Sequence, residues 1–583
     1  MAFDLGNKES RGRLHAAKQT SRRRLDVFCK VRSEFLRDYV GSWYSEDGAR
    51  WMTYVNKINQ TARVYATFLA FTNPRVKVRS FDPKLWPFCR RYEVNINRVL
   101  ANIDFKTTFQ TGLLDAFFLM GVFNVRMADS GFVLTEDNVW VDPGKPWVDR
   151  VSPDDLILDM TARDIRAVRF IGHKYRVSYD AVMEREDFDP KVRRKVTPTS
   201  KHSDGQNNAS EIASGAAVDD DELEPMVWLE DVYLPETRQL ATLWPDEESV
   251  GPLKVTDRDD RRLGPYKVLG LGLVPDNVIP SSPAQNLKPL HDLSNRLYRK
   301  LSAQASRQKS VIAYPPGGED DALRGKKIPD GGYVMFRDPK NLMPLSFPGV
   351  DGNTNAFFLA AQEVYNMLAG NERALAGLGS EAGTLGQEQM IESHATGMFG
   401  QMKAAVNEFA GEIAREIGSL MFDDEYLTVE SSMEAENTGY RVDSSWRPGE
   451  RRGLKEHYDF SVEANSLSYR PPEVQVRQTM EYLQGLATVF PLVQAGVLDL
   501  QELTRMVAEA QNNPDLNKVV KGMREWMTGE APADQHAATK APVTSRETVR
   551  NNVSRGPQGM GMAGVLGQMM QGAGQATQGA TVG

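Results

Sequence analysis

The sequence predicts an α+β protein assembled from several modules, and three observations carry that prediction. The chain has 583 residues, too many for one hydrophobic core, so two to four modules are expected. Through its N-terminal half, stretches with apolar residues at three- and four-residue spacing alternate with short runs of strand-like alternation. Near the middle, a long amphipathic helix leads into a compact turn-rich segment, a second helix, a glycine loop and a longer third helix.

Composition narrows the function classes. Apolar residues make up 41% and charged residues 25% of the chain, the balance of an ordinary folded protein. A net charge of −8 excludes a global electrostatic footprint for nucleic acid, so any contact with DNA is local or steric. Two cysteines, Cys29 and Cys89, cannot staple a chain of this size and point to a reducing environment. The opening MAFDLGNKESRGR lacks the apolar core of a signal peptide. The most apolar run, GLLDAFFLMGVFNV, contains Asp115 and is too short to span a bilayer. It is expected to be a buried helix, and no membrane integration is expected.

From His15 to Val40 the pattern predicts a basic helix with Leu25, Phe28, Val31, Phe35 and Leu36 on one side. The arginines at 22 to 24 invite a nucleic-acid reading, but nearby acids favour a solvated helix face. A second helix is expected to stop at Asn73-Pro74, because the residue before proline is pushed out of helical geometry. VKVRS then reads as a strand. A helix is expected over roughly Pro87 to Met120, followed by FNVRMADSGFVLTEDNVWVDP, which alternates like a hairpin. VRFIGHKYRVS and MVWLEDVYLPETRQLATLWP continue the sheet signals, the latter turning at Pro235-Glu236-Thr237. Residues 189–225 are poor in apolar side chains and read as a loop or disordered segment.

The central helix lies within SSPAQNLKPLHDLSNRLYRKLSAQASRQKS. Leu287, Leu290, Leu293, Leu297, Leu301 and Ala305 form its apolar stripe, while Lys288, Asp292, Arg296, Arg299, Lys300 and Arg307 fall mainly on other faces. Twenty-five helical residues span roughly 37 Å, which makes a strut. Prolines and glycines then cut residues 311–353 into small strands and turns. The next helix places Phe357, Ala361, Val364, Tyr365 and Leu368 on one face. LGSEAGTLG follows as a loop, with glycines at 377, 379, 383 and 386. From Gln387 the third helix has Ile391, Met398, Met402, Phe409, Ile413 and Leu420 in phase. Gly397, Gly400, Gly411 and Gly418 interrupt it at about 1 kcal/mol each relative to alanine, which kinks or close helix approach would explain. YLTVE and YDFSVEA read as strands. A helical module follows, opened by two prolines, with Met480, Leu483, Leu486 and Val489 marking its first buried face. From Thr528 onward no pattern is sustained, and a mobile tail is expected.

This order of elements resembles the portal proteins (head-tail connectors) of tailed bacteriophages, in which a stem helix, a clip, a second stem helix, a tunnel loop and a long wing helix follow one another. INQTARVYATFLAFTNPRVKVRS, DAFFLMGVFNVRM and VSPDDLILD with RFIGHKYRVS are similar to wing elements of that family, and GPYKVLGLGLVPDNVIPSSP to its lead-in to the stem. The match spans roughly residues 15 to 525 and rests on the order of the pieces. The resemblance implies a portal-like α+β subunit. Its N-terminal wing part occupies 1–284, stem helices 285–310 and 354–376, and a small α/β clip 311–353. A tunnel loop spans 377–386, the long wing helix and wing strands 387–470, a helical crown 471–527 and a disordered tail 528–583.

The function implied is a dodecameric ring at one capsid vertex, the channel through which double-stranded DNA is packaged and ejected. Implied partners are further copies of the chain, major capsid and scaffolding proteins, the terminase large subunit (the ATPase) and a head-tail adaptor. The virion capsid vertex is the implied location, after assembly in the host cytoplasm. Asp320, Asp321, Arg324, Lys326 and Lys327 would dock partners at the clip. Gly377, Gly379, Glu381, Gly383 and Gly386 would form the tunnel constriction, where the absence of a basic residue suits DNA that must slide. Two roles stay open for Arg296, Arg299, Lys300, Arg307 and Lys309: touching the DNA backbone from the lumen, or pairing with acids such as Glu363 and Glu372 of a neighbour. Another virion structural protein, an adaptor or scaffold, is the alternative; a DNA-processing enzyme is a third reading.

Enzyme chemistry finds no positive support. A phosphate-binding loop needs glycines, then Lys and a metal-binding Ser or Thr. Around Gly325-Lys326-Lys327, Asp320 stands where the first glycine belongs and Lys327 where Ser or Thr belongs. Asp154, Asp155 and Asp159 read as magnesium ligands or, more simply, as a strand-turn-strand set by Ser152-Pro153-Asp154. Seven histidines form no HExxH, and His291 and His394 are expected to be packed or surface residues. GMFGQM offers no serine elbow. No catalytic, metal or cofactor residue is assigned.

Overall fold

Asn7 accepts a hydrogen bond from the Glu9 amide and so opens helix α1 (Lys8–Val40), satisfying one of the donors every helix start leaves unpaired. The helix begins earlier than the expected His15. Its buried line runs through Leu14, Ser21, Leu25, Cys29, Arg32 and Phe35. Val31, expected in that line, is 40% exposed; the buried face is turned to enclose the Arg32 guanidinium instead.

The computed structural model describes residues 3–41, 54–70, 72–130, 134–136, 139–142, 144–198, 225–245, 250–258, 262–313, 319–326, 335, 343–347, 349–370, 385–434, 441–463 and 467. The chain divides into two compact units, 1–478 and 479–583, and every described residue lies in the first. The crown and tail expected from 471 onward lie outside the described residues.

After α1 come α2 (Lys57–Leu69), β1 (Val76–Ser80), α3 (Trp86–Asn102) and α4 (Phe105–Phe118). The single helix expected over Pro87–Met120 is therefore two. Asp104 breaks it with a left-handed φ of 48°, a conformation that Asp tolerates better than most residues. The apolar run GLLDAFFLMGVFNV is likewise not one helix. Its first half ends α4, and its second half is strand β2 (Gly121–Ala128). Helix and strand approach so closely that a Cβ at Gly112 would lie 2.0 Å from the Phe123 ring.

A short hairpin, β3 (Leu134–Glu136) and β4 (Val139–Val141), precedes β5 (Lys145–Val151), β6 (Leu156–Leu158) and β7 (Ile171–Ser178). Two short helices, α5 (Tyr179–Glu184) and α6 (Pro190–Arg193), lead to β8 (Met226–Leu234), β9 (Gln239–Leu243), β10 (Lys254–Asp257) and β11 (Tyr266–Leu269). The strands form an antiparallel five-stranded sheet in the order β10-β9-β8-β7-β6 and a three-stranded sheet in the order β11-β2-β5. Helices α7 (Pro283–Arg307), α8 (Glu319–Lys326), α9 (Gly352–Leu368) and α10 (Leu385–Asp423) follow. Between them, β12 (Lys309–Ala313) pairs antiparallel with β13 (Met343–Phe347). Beyond α10, β14 (Ser432–Glu434) pairs with β15 (Arg441–Asp443), and β16 (Tyr458–Val462) returns to pair with β1. The expected strand YLTVE contributes one isolated bridge, Val429 to Trp446.

Helix α1 runs across three cores. Leu14 packs with Phe170, Val232 and Ala241 on the five-stranded sheet. Leu25 and Cys29 join Val122, Leu156 and Tyr266, while Phe35 enters the largest core, built mainly from α2, α3, α4 and α10. On α10 that core takes Phe399, Val406, Phe409, Ile413, Ile417 and Met421, with Met402 and Leu420 packed at its edge. The side chains of Ile391 and Met398 lie outside the described residues. Of the glycines in this helix, Gly418 has the close approach expected: a Cβ there would lie 2.7 Å from the Phe460 ring, and Tyr92 donates to its carbonyl at 2.5 Å. Gly400 and Gly411 have room.

Between these cores sits a buried ion network. Arg32, 1% exposed, donates to Asp115 at 2.9 Å and to Asp154 at 2.8 Å. Arg150 donates to the same Asp115 carboxylate, its Nη2 at 2.9 Å. The network ties α1 to α4, to β5 and to the turn that precedes β6. Arg22 and Arg24 serve the same region, donating to the carbonyls of Asp154 and Met160. Deleting one partner of a buried pair leaves an uncompensated charge, so Arg32→Ala is expected to lower unfolding free energy by about 3–5 kcal/mol. Arg23→Ala, on the exposed side, is expected to change it by less than about 0.5 kcal/mol. Urea unfolding of both variants measures the contrast.

Candidate interface on a helical hairpin

Ser282 accepts from the Gln285 amide at 3.3 Å and Pro283 occupies the first turn, so α7 starts two residues before the expected position 285. The helix continues through Pro289, which removes the donor that the Gln285 carbonyl would otherwise receive. The expected leucine stripe is not its buried face. The buried positions are Pro283, Ala284, Leu287, His291, Ser294, Asn295 and Leu301; Leu290, Leu293 and Leu297 are half-buried and Ala305 is exposed. Polar pairing turns the helix. Asn295 accepts from the Val55 amide at 2.8 Å, and His291 meets the Tyr54 hydroxyl at 2.8 Å. Both side chains find partners on the segment leading into α2.

Helix α9 runs back antiparallel. Tyr298 of α7 lies beside Phe358 near the start of α9, ring centroids 5.8 Å apart, and the Gln304 side chain accepts from the Asp351 amide. Asp351 caps α9, and hydrogen bonds from the Thr354 side chain and amide hold its carboxyl below the usual range. At the other end, the Tyr365 hydroxyl pairs with Thr61 at 2.9 Å and the Lys57 ammonium lies over its ring. The paired strands β12 and β13 join the free ends of the two helices.

Only half of the α9 stripe is buried. Thr354, Phe358, Ala361 and Tyr365 pack inward. Phe357, Leu359, Val364, Met367 and Leu368 are 43% to 61% exposed. Three of these, Phe357, Val364 and Leu368, were expected to share a face with the buried Ala361 and Tyr365. The helix is apolar around most of its circumference, the pattern of a fully enclosed helix, yet one side of it is open in the single chain. Leu359 and Met367 were missed because they fall outside the narrow stripe read from sequence.

Arg296, Arg299, Lys300 and Arg307 are exposed on α7, and none of them pairs with an acid among the described residues. Lys309 begins β12; its side chain lies outside the described residues, as do those of Asp321 and Lys326 on α8. Asp320 and Arg324 are exposed on α8. Gly386 falls in the first turn of α10, whereas Lys327, Glu372, Gly377, Gly379, Glu381 and Gly383 lie outside the described residues. Glu363 is exposed on α9.

Two of the three aspartates weighed as metal ligands, Asp154 and Asp159, are engaged elsewhere. Asp154 serves Arg32. Burial pushes the Asp159 carboxyl up, but hydrogen bonds from Arg169 and Thr161 outweigh it and leave it below the usual range. Both cysteines are buried and free, and burial raises the Cys29 thiol to about 12, which leaves it unreactive at neutral pH. Among the described residues no helix is long and apolar enough to cross a membrane.

Because the four arginine and lysine side chains point to solvent, the double change Arg299→Glu/Lys300→Glu is expected to shift unfolding free energy by less than about 1 kcal/mol. Thermal unfolding followed by circular dichroism checks this. No protein-family model matches the sequence, and no curated protein matches it.

Proposed function

We propose that this chain is the subunit of a phage-type portal, a closed ring at one capsid vertex that conducts double-stranded DNA and docks a packaging terminase and a head-tail adaptor. The observation that carries the reading is the open apolar side of α9. A hairpin of two helices with a small paired-strand tip has no use for Phe357, Leu359, Val364, Met367 and Leu368 in water. Side by side with further copies, those side chains are covered. Burying such a side chain fully is worth roughly 1.5–3 kcal/mol, and about half of that remains to be gained at each position.

Ring closure also answers a geometric need. The α9 face and the cationic α7 face are different surfaces, so a contact joining one to the other is head-to-tail, and only closure keeps it from growing into a filament. The order of helical hairpin and long helix, and the mixed helix and sheet that precede them, support the portal assignment over a scaffold, which is usually shorter and poor in sheet. The reading assigns no catalysis to the chain; the motor is a partner.

Native mass spectrometry and negative-stain microscopy of the full-length protein test it. The expected result is a ring of about twelve copies; monomers that persist at high concentration with scaffold present would remove the portal reading. Phe357→Asp/Leu368→Asp is expected to abolish rings while circular dichroism stays unchanged, since both side chains are already half in water. Arg299→Glu/Lys300→Glu is expected to leave rings intact and to lower packaged DNA in an in vitro packaging assay. Normal packaging would remove both cations from the channel, and loss of the rings would assign them to subunit pairing.

A further inference from the structure

The geometry points to a binding site for a divalent transition metal at the joint between α1 and α7, formed by Asp38, His291 and Asp292. One oxygen of each carboxylate and one ring nitrogen of His291 lie within 4.8 Å of one another. Nitrogen and oxygen donors together suit zinc and its neighbours; magnesium and calcium prefer oxygen alone.

The histidine supplies the second line of argument. His291 is completely buried, and its Nδ1 has no hydrogen-bond partner among the described residues. Its Nε2 lies 2.8 Å from the Tyr54 hydroxyl, and that hydroxyl donates to the Asp38 carbonyl at 2.9 Å. A phenol carries one hydrogen. Spent on the carbonyl, it leaves the Tyr54 oxygen to accept from Nε2–H. The Asn295 amide nitrogen reaches the carbonyls of Val55 and His291, at 3.3 and 3.2 Å, and also lies 3.2 Å from Nε2. The tautomer with the proton on Nε2, donated to the Tyr54 oxygen, leaves a bare lone pair on Nδ1, and it is this tautomer that the proposed site uses. A buried acceptor without a partner calls for an explanation. Metal-ligating histidines show this arrangement, donating through one nitrogen to a fixed acceptor and binding through the other.

A cation already occupies the approach. The Lys288 ammonium lies 2.6 Å from Asp38 and 3.5 Å from Asp292, so both carboxylates converge on one positive charge. In the metal-free protein the lysine balances them; a bound ion takes its place and clamps the end of α1 to the strut. Asp292 is 47% exposed, which leaves an entry path and a fourth position for water.

The test uses the full-length protein, titrated calorimetrically with zinc chloride and, separately, with cobalt chloride followed by visible absorption. One ion per chain is expected. Affinity should fall at least about tenfold in His291→Ala and in Asp292→Asn, and rise in Lys288→Met, which removes the competing ammonium. Asp292→Asn, at a half-exposed position, keeps the test valid should His291→Ala fail to fold. No saturable binding by either the wild type or Lys288→Met would overturn the site. Binding undiminished by Asp292→Asn would overturn it equally, because the ion would then be held elsewhere.

Discussion

The buried contact between Arg32 and Asp115 is the constraint on which the arrangement of this subunit depends. Helix α1 crosses three hydrophobic cores, and hydrophobic contact alone is tolerant of small rotations and slips. A guanidinium 1% exposed has no such tolerance. It must meet Asp115 on α4 and Asp154 in the turn before β6 together, and those two requirements set the rotation of α1 about its axis. Val31 is left exposed as a result. Arg150 completes the Asp115 carboxylate from β5, so the three-stranded sheet is referenced to the same point. Such a network contributes less net stability than its Coulomb energy implies, since desolvation opposes it. Its effect here is to exclude alternative packings of one long helix.

The strut obeys the same logic in reverse. Helix α7 gives its buried face to His291, Ser294 and Asn295 and leaves part of its leucine stripe near the surface. Helix α9 is apolar on almost every side and covers only half of itself. Each helix alone is an imperfect solution for a single chain. Together they leave one apolar and one cationic surface, the two surfaces on which the proposed ring contact rests.

This division explains what the sequence discloses. Strand β1 and the hairpin joining β8 and β9 depend on local chemistry, and proline and alternation reveal them. Arg32 does not announce itself: nothing local separates it from Arg22, Arg23 or Arg24, and its partner is far along the chain. The break at Asp104 and the turn of α7 toward Tyr54 and Val55 likewise depend on tertiary partners. The exposed α9 face was half legible. Periodicity finds the stripe, but periodicity cannot say which part of an apolar helix its own chain will cover. The residues expected to form a clip and a tunnel loop were read only from the order of elements, because their chemistry is generic glycine, lysine and aspartate.

On the portal reading, the exposed cations of α7 pose a problem whose solution bears on mechanism. If Arg296, Arg299, Lys300 and Arg307 of every copy faced the lumen, the ring would present roughly four dozen positive charges to the duplex. Each phosphate neutralised releases condensed counterions, and affinity grows steeply with the number of such contacts. DNA held that way would not slide. Pairing with acids at the subunit boundary reduces the free charge, and exposed Glu363 on α9 is of the right sign on the surface proposed to meet the next copy. The apolar α9 face and its single acid would then do two things at once: cover the neighbour's strut and quench part of its charge. What remains would be a weakly positive wall, attractive enough to centre a polyanion and too weak to grip it.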